Sequence, residues 1–195
     1  MVEWNLYSAI TKMKAKYPKN KVGIDIKDDF LPQREFQIIQ DRMVGGYSHY
    51  PDFPWVLSGI IRPKEYDPKF TDNLQLCHTF YDKSAPRSET VQLVYPLLEK
   101  INPIGIIRIK ANLLMRMENI IEHGMHNDIM DGVGMDYLKT AIFYLNTCNG
   151  YTKFEDGTKV ESVANRFIVF PQKMKHTGTT CTDEPFRSVI NFNYV

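Results

Sequence analysis

Residues 104–117 read IGIIRIKANLLMRM, and their alternation is the strongest constraint in the chain. Ile107, Ile109, Ala111, Leu113 and Met115 fall on one side of an extended segment. Arg108, Lys110, Asn112 and Arg116 fall on the other. Successive strand residues point to opposite faces, so this is a half-buried strand. Whether Asn112 and Arg116 reach a cavity or solvent, periodicity does not decide. YLKTAIFYLN, YTKFEDG, TKVESV, RFIVF and FRSVINFNYV follow, each short and rich in β-branched and aromatic residues. Asn149-Gly150 and Asp156-Gly157 read as turns between them, and Asp-Gly between YTKFE and TKVES is a hairpin signal. Many short strands at close spacing predict a sandwich or barrel in the second half.

The first half is mixed. Residues 5–16 carry Tyr7, Ile10 and Met13 on one helical stripe, and KVGIDIKDDF alternates like a strand. LPQREFQIIQDRMVGG predicts a helix with Pro32 in its first turn, Phe36, Ile39 and Met43 on one face, and Gly45-Gly46 at its end. FPWVLSGII and NLQLCHTFY read as strands. SETVQLVYPLLEKI predicts a helix opened by Ser88 or Thr90 and kinked or broken by Pro96. These helices would cover one face of the β structure. The class is therefore α+β, mostly β. A chain of 195 residues fits one domain. Residues 1–102 would supply N-terminal helices and supporting strands, and residues 103–195 the β core.

A formal net charge of +1 gives no ground for nucleic acid or membrane as partner. No apolar run is long enough to span a bilayer, and the start lacks a secretory signal. Its Lys12, Lys14, Lys16, Lys19 and Lys21 read as a solvated face. The odd count of three cysteines, Cys77, Cys148 and Cys181, fits reduced thiols in a cytoplasmic setting.

The loop HGMHNDIMDGVG, residues 123–134, holds His126 and Asp128 two positions apart. In an extended segment, residues two apart point the same way and can reach one ion. His176 lies 48 positions after Asp128. Two histidines and a carboxylate on one face of a metal, with the other face open, form the donor set of mononuclear non-haem Fe(II) sites. Arg187 follows His176 by eleven positions, and its planar fork suits a carboxylate. Thr140 and Tyr144, four apart on one strand, share a face and could donate hydroxyls to the same anion.

Taken in order, these segments resemble the Fe(II)- and 2-oxoglutarate-dependent oxygenases of the prolyl-4-hydroxylase-like branch. The resemblance covers roughly residues 104–194: the strand IIRIKANLLMRM, His126-Asn127-Asp128, TAIFYLN, NGYTKFEDG, NRFIVF, His176-Thr177-Gly178 and Arg187. The style is also similar to short oxygenases of tailed bacteriophages, which would place the chain in a host cytoplasm. The resemblance implies a double-stranded β-helix (a jelly roll) with N-terminal helices packed on its major sheet. It implies Fe(II) on His126, Asp128 and His176. It implies 2-oxoglutarate with its far carboxylate on Arg187, assisted by Tyr144 with Thr140 nearby, and ascorbate as an accessory reductant. The reaction would hydroxylate a substrate while 2-oxoglutarate and O2 yield succinate and CO2. One departure stands out: Asn149-Gly150-Tyr151 replaces the Gly-Gly that many relatives carry before Thr-x-Phe.

Other residues read less sharply. His123 belongs to the loop or mouth, His49 to turn packing, His78 to core or surface, and Arg166 to a structural hydrogen bond. The aromatics of SHYPDFPW, residues 48–55, either line a peptide groove or cap the core. The substrate reading leans to a peptide or protein side chain, with a small molecule or nucleobase as alternatives. A non-catalytic jelly-roll module and a cupin-like isomerase or hydrolase on another metal are the competing classes.

Overall fold

The alternating segments pair into two antiparallel sheets. The structure, a computed structural model, describes residues 23–45, 53–60, 74–129 and 137–195. The helix expected over 5–16, the lysines before residue 22 and His49 lie outside the described residues. In chain order the strands are β1 (Asp25–Lys27), β2 (Val56–Gly59), β3 (Leu74–Asp82), β4 (Ala85–Pro86), β5 (Ile106–Met115), β6 (Lys139–Tyr144), β7 (Cys148–Phe154), β8 (Lys159–Ser162), β9 (Phe167–Pro171), β10 (His176–Gly178) and β11 (Phe186–Tyr194). The large sheet runs β1-β9-β6-β11-β5-β3-β2, with β4 on β3, and the small sheet runs β10-β7-β8.

Two apolar layers hold this together, and alternation assigns residues to each. Ile109 and Ala111 of β5, Ala141 and Phe143 of β6, Phe167 of β9, and Ile190 and Phe192 of β11 face outward against the helices. Ile142, Tyr144, Ile168, Phe170 and Val189 face inward and meet Phe154 and Val160 of the small sheet. β6 is apolar on both faces because both are covered. Burying one such aromatic or aliphatic side chain contributes about 1.5–3 kcal/mol.

Helix α1 (Gln33–Val44) buries Phe36, Ile39 and Met43, and Pro32 is its N-cap residue, one place earlier than expected. The segment around Pro96 is two helices. A 3-10 helix (Glu89–Val94), capped by the Ser88 side chain accepting from the Thr90 N–H, passes into α2 (Tyr95–Ile101), where Pro96 occupies the first turn. A proline there loses no hydrogen bond, so it starts a helix rather than kinking one. Phe53 and Trp55 cap the core. Their rings lie 4.9 Å apart, Phe53 is 4.4 Å from the His78 ring, and the Trp55 indole donates to the Met43 carbonyl. His78 is buried between the Pro54 carbonyl and the Thr90 hydroxyl. Arg166 grips Asp28 with two bonds, 2.6 and 3.0 Å long. Among the described residues no helix is long and apolar enough to cross a membrane.

One expected turn is absent. Asp156-Gly157 does close the β7–β8 hairpin, with Gly157 at φ 89°. Asn149-Gly150 instead lies inside β7, at a register irregularity between Cys148 and Tyr151. Asn149 is held in the strand: its N–H donates to Asp183, and its side chain exchanges bonds with Thr182. The turn preference of Asn-Gly yields to these tertiary bonds.

Candidate active site

The inner face of the large sheet and the small sheet enclose a cavity of about 190 Å³. His126, Asp128 and His176 line it, and their donor atoms lie within 4.8 Å of one another. The backbone brings the histidines together. His126 N–H donates to the His176 carbonyl and His176 N–H to the His126 carbonyl, both at 3.0 Å. This two-bond pair docks the 123–129 loop against β10 and sets the rings 5.0 Å apart. The Asp128 Oδ1 faces both Nε2 atoms, at 3.8 and 4.0 Å.

The surroundings suit this set to a metal. His126 Nδ1 is 2.9 Å from the Gly124 carbonyl, which makes it the protonated nitrogen and leaves the Nε2 lone pair facing Asp128. Burial pushes the His176 imidazole below its ordinary pKa, with His126 acting the same way against the opposing charge of Asp128. A neutral imidazole is the form that ligates. Burial alone would raise the Asp128 pKa. The fields of His176 and Arg108, a hydrogen bond from Asn193 and the field of His126 outweigh it and hold the carboxyl below its usual range. The Asn193 amide donates to Asp128 Oδ2 at 3.0 Å. Two imidazoles and one carboxylate facing a common cavity are a donor set that fits Fe(II).

Arg187 lies on the same inner face and is 2% exposed. Its Nη2 donates to the Thr152 hydroxyl at 3.0 Å, and the Tyr144 hydroxyl donates to the same oxygen at 2.8 Å. The guanidinium carbon lies 5.5 Å from the Tyr144 ring centroid. Arg187 Nε is buried without a partner, and no carboxylate pairs with the guanidinium among the described residues. A buried cation without a counter-ion is costly, so the arrangement is a socket for an anion.

Thr140 is elsewhere. It opposes Asn193 across β6 and β11, whereas Tyr144 opposes Val189. Four strand steps span about 13 Å, so sharing a face does not bring the two hydroxyls to one anion. Thr140 bonds to Gln172 and receives the Asn193 amide, and so stands behind the group that holds Asp128. Thr152 takes the place expected for Thr140. It is the threonine of the Thr-x-Phe segment, a position the sequence marks without assigning it to Arg187.

Gly150 has a steric role that the turn reading missed. A Cβ there would stand 2.6 Å from Arg187 Cδ and 2.7 Å from the Thr180 carbonyl oxygen. Gly150→Ala is therefore expected to push Arg187 off Thr152 and to weaken anion binding in the cavity at least fivefold, while iron stoichiometry stays unchanged. A clash of this kind costs about 1–3 kcal/mol. Calorimetric titration with 2-oxoglutarate checks it, and an unaltered affinity would refute the steric account.

Other residues complete the cavity. Arg108, Lys110 and Asn112 point into it from β5, while Arg116 beyond the strand end is exposed. His123 is at the mouth, its Nδ1 3.1 Å from the Gly178 carbonyl. Glu122 fastens the ligand loop to β7, accepting from the Tyr151 hydroxyl and the Lys153 ammonium, each at 2.6 Å. Those bonds, Lys153 first, draw its pKa down to about 2. A carboxyl lowered on folding stabilises the fold above its unfolded value and loses that contribution as pH falls. The Glu122 contribution should thus fade between about pH 4.5 and about pH 2. An NMR titration of Glu122 should show the low value, and Lys153→Met should return it toward the ordinary range. The cysteines are free thiols, and burial pushes Cys181 up to about 12, so it is a poor nucleophile.

No family profile and no curated protein sequence matches the chain. Solved structures do. A prolyl hydroxylase from Trichoplax adhaerens, in complex with a hypoxia inducible factor oxygen degradation domain peptide fragment, is 12% identical. It matches over 100% of this chain and 93% of its own, with a TM-score of 0.59. The non-haem α-ketoglutarate-dependent epimerase SnoN from nogalamycin biosynthesis is 13% identical over 97% and 83%, with a TM-score of 0.58. The viral collagen prolyl hydroxylase of Paramecium bursaria Chlorella virus-1, as its 2-oxoglutarate complex, is 12% identical over 88% and 95%, with a TM-score of 0.53. The chain has the double-stranded β-helix fold of the 2-oxoglutarate- and Fe(II)-dependent oxygenases.

Proposed function

We propose that the protein is an Fe(II)- and 2-oxoglutarate-dependent dioxygenase that hydroxylates an organic substrate. The observation that carries this reading is the joint presence, in one cavity, of the His126–Asp128–His176 donor set and a buried Arg187 without a counter-ion. Bound iron and 2-oxoglutarate together supply the oxidation of a substrate C–H bond by O2, with release of succinate and carbon dioxide.

The chain's own residues position and protect. His126 and His176 offer Nε2 lone pairs from a backbone-locked pair, and Asp128, steadied by Asn193, offers Oδ1. Thr140 and Gln172 fix Asn193 from behind. Arg187 receives the far carboxylate of 2-oxoglutarate, and Thr152 and Tyr144 hold the guanidinium in place. Ile142, Leu114 and Val189 supply apolar wall and keep that ion pair from water. The aromatic stretch that favoured a peptide substrate gives less support than expected, since Phe53 and Trp55 pack into the core. The test is anaerobic titration with Fe(II), followed by oxygen uptake with 2-oxoglutarate. One iron per chain and slow, substrate-free conversion of 2-oxoglutarate to succinate are expected. Iron binding without any succinate would favour a metal module of another class.

A further inference from the structure

Lys110 is a cation for which the iron and cosubstrate site has no use. Among the described residues lining the cavity, the cationic side chains are Arg108, Lys110 and Arg187, and the only carboxylate is Asp128. With neutral histidines this leaves two positive charges in excess. Loading the site does not remove them, because a divalent iron and the dianion of 2-oxoglutarate cancel. Under the proposed function Arg187 would be taken by the far carboxylate of the cosubstrate and so would not be available to a second anion. Arg108 is only half engaged. Its Nη2 is 3.5 Å from Asp128 Oδ1, but its Nε is buried with no partner. The Lys110 ammonium makes no ion pair among the described residues, and burial makes its charge harder to hold, with Arg108 adding to that against the opposing fields of Cys77 and Asp128. Arg108 and Lys110 are half-buried, and two partly desolvated cations without full counter-ions are a costly arrangement that an anionic ligand would relieve.

Position separates these cations from the cosubstrate socket. Tyr144 lies on β6, on one side of β11, and Arg108 and Lys110 lie on β5, on the other. Beyond them, Gln75 of β3 and Ile60 line the same cavity. The β5–β3 side thus lines the cavity with polar groups other than those around Arg187. The amides of Asn112 and Asn191 border it, their oxygens without donors. Rotated, they present N–H groups to an anion.

We infer that the substrate of this site carries an anionic group, a carboxylate or a phosphate, which Lys110 and Arg108 receive on the β5–β3 side of the cavity. This rests on the proposed function and names the substrate class for it. An ammonium is a point charge suited to either anion, whereas the arginine fork adds direction.

The test uses the full chain loaded anaerobically with Mn(II) and 2-oxoglutarate and titrated calorimetrically with inorganic phosphate, with acetate and with uncharged glycerol. Saturable binding of phosphate or acetate, and none of glycerol, is expected, and the tighter of the two anions identifies the group. Lys110→Gln should weaken that binding at least tenfold and Lys110→Arg should retain it. Both variants should bind 2-oxoglutarate within about threefold of wild type, which also shows that they are folded. Two results overturn the inference while leaving the proposed function intact: no saturable anion binding to the loaded protein, or equal anion binding by wild type and Lys110→Gln. A tenfold loss of 2-oxoglutarate affinity in Lys110→Gln also overturns it, by placing Lys110 in the cosubstrate socket. Failure of the wild type to bind Mn(II) and 2-oxoglutarate at all refutes the proposed function itself.

Discussion

His176→Ala is expected to abolish high-affinity Fe(II) binding. His176 would supply one of three donors, and it is the more buried of the two imidazoles that face Asp128. Loss of a supporting partner around a metal ligand costs about 10–100-fold in affinity. Loss of a ligand should exceed that, because the remaining His126 and Asp128 leave the ion half held. The variant also leaves a hole between Phe170 and Phe154, whose rings lie 4.9 and 6.3 Å from the imidazole. The control is His123→Ala, which alters the mouth but removes no donor facing Asp128. It should keep one iron per chain. Anaerobic titration with a chromogenic chelator as competitor decides. Wild-type stoichiometry and affinity in His176→Ala would remove this residue from the metal site.

Arg187→Met should weaken 2-oxoglutarate binding at least tenfold without changing iron stoichiometry. The guanidinium is enclosed, its Nη2 donates to the Thr152 hydroxyl beside Tyr144, and its Nε is unpartnered. Removing it would leave the far carboxylate of the cosubstrate without its cationic partner in the cavity. Truncating one partner of such a buried charge pair costs about 2–5 kcal/mol, and each 1.4 kcal/mol is about a factor of ten. Arg187→Lys should recover only part of the affinity, because an ammonium cannot both reach Thr152 and face a carboxylate with two parallel N–H bonds. Titration of 2-oxoglutarate into metal-loaded protein gives the answer. Equal affinities for wild type and Arg187→Met would mean that another residue holds the cosubstrate.

The limits of reading this site from the sequence lie in what periodicity measures. Alternation in IIRIKANLLM identified β5 and put Arg108, Lys110 and Asn112 on one face. It could not say that this face looks into a cavity, because a polar face toward ligand and one toward water read alike. Thr140 and Tyr144 were placed on a common face, as observed, yet distance along the strand put them in different neighbourhoods. Asn149-Gly150 carried a strong local turn preference that bonds to Asp183 and Thr182 override. The need for glycine at 150 comes from a side chain 37 positions away, a dependence no local pattern reports. The two-residue spacing of His126 and Asp128 was legible from extended-chain geometry, whereas His176 and Arg187 joined them through the ordered resemblance to the oxygenases. Asn193 and Gln172 were not legible, and Thr152 was marked in Thr-x-Phe without its bond to Arg187, since hydroxyls and amides have too many ordinary uses for spacing to assign them partners.

The paired backbone bonds between His126 and His176 also bear on how the metal comes and goes. Ligands carried on independent loops must be gathered by the ion, so that emptying such a centre lets it collapse. Here the two imidazoles are joined through main chain that no chelator can touch. Loss and refilling of an ion held here would then be a local exchange, because the two histidines are kept side by side by main-chain bonds and not by the ion.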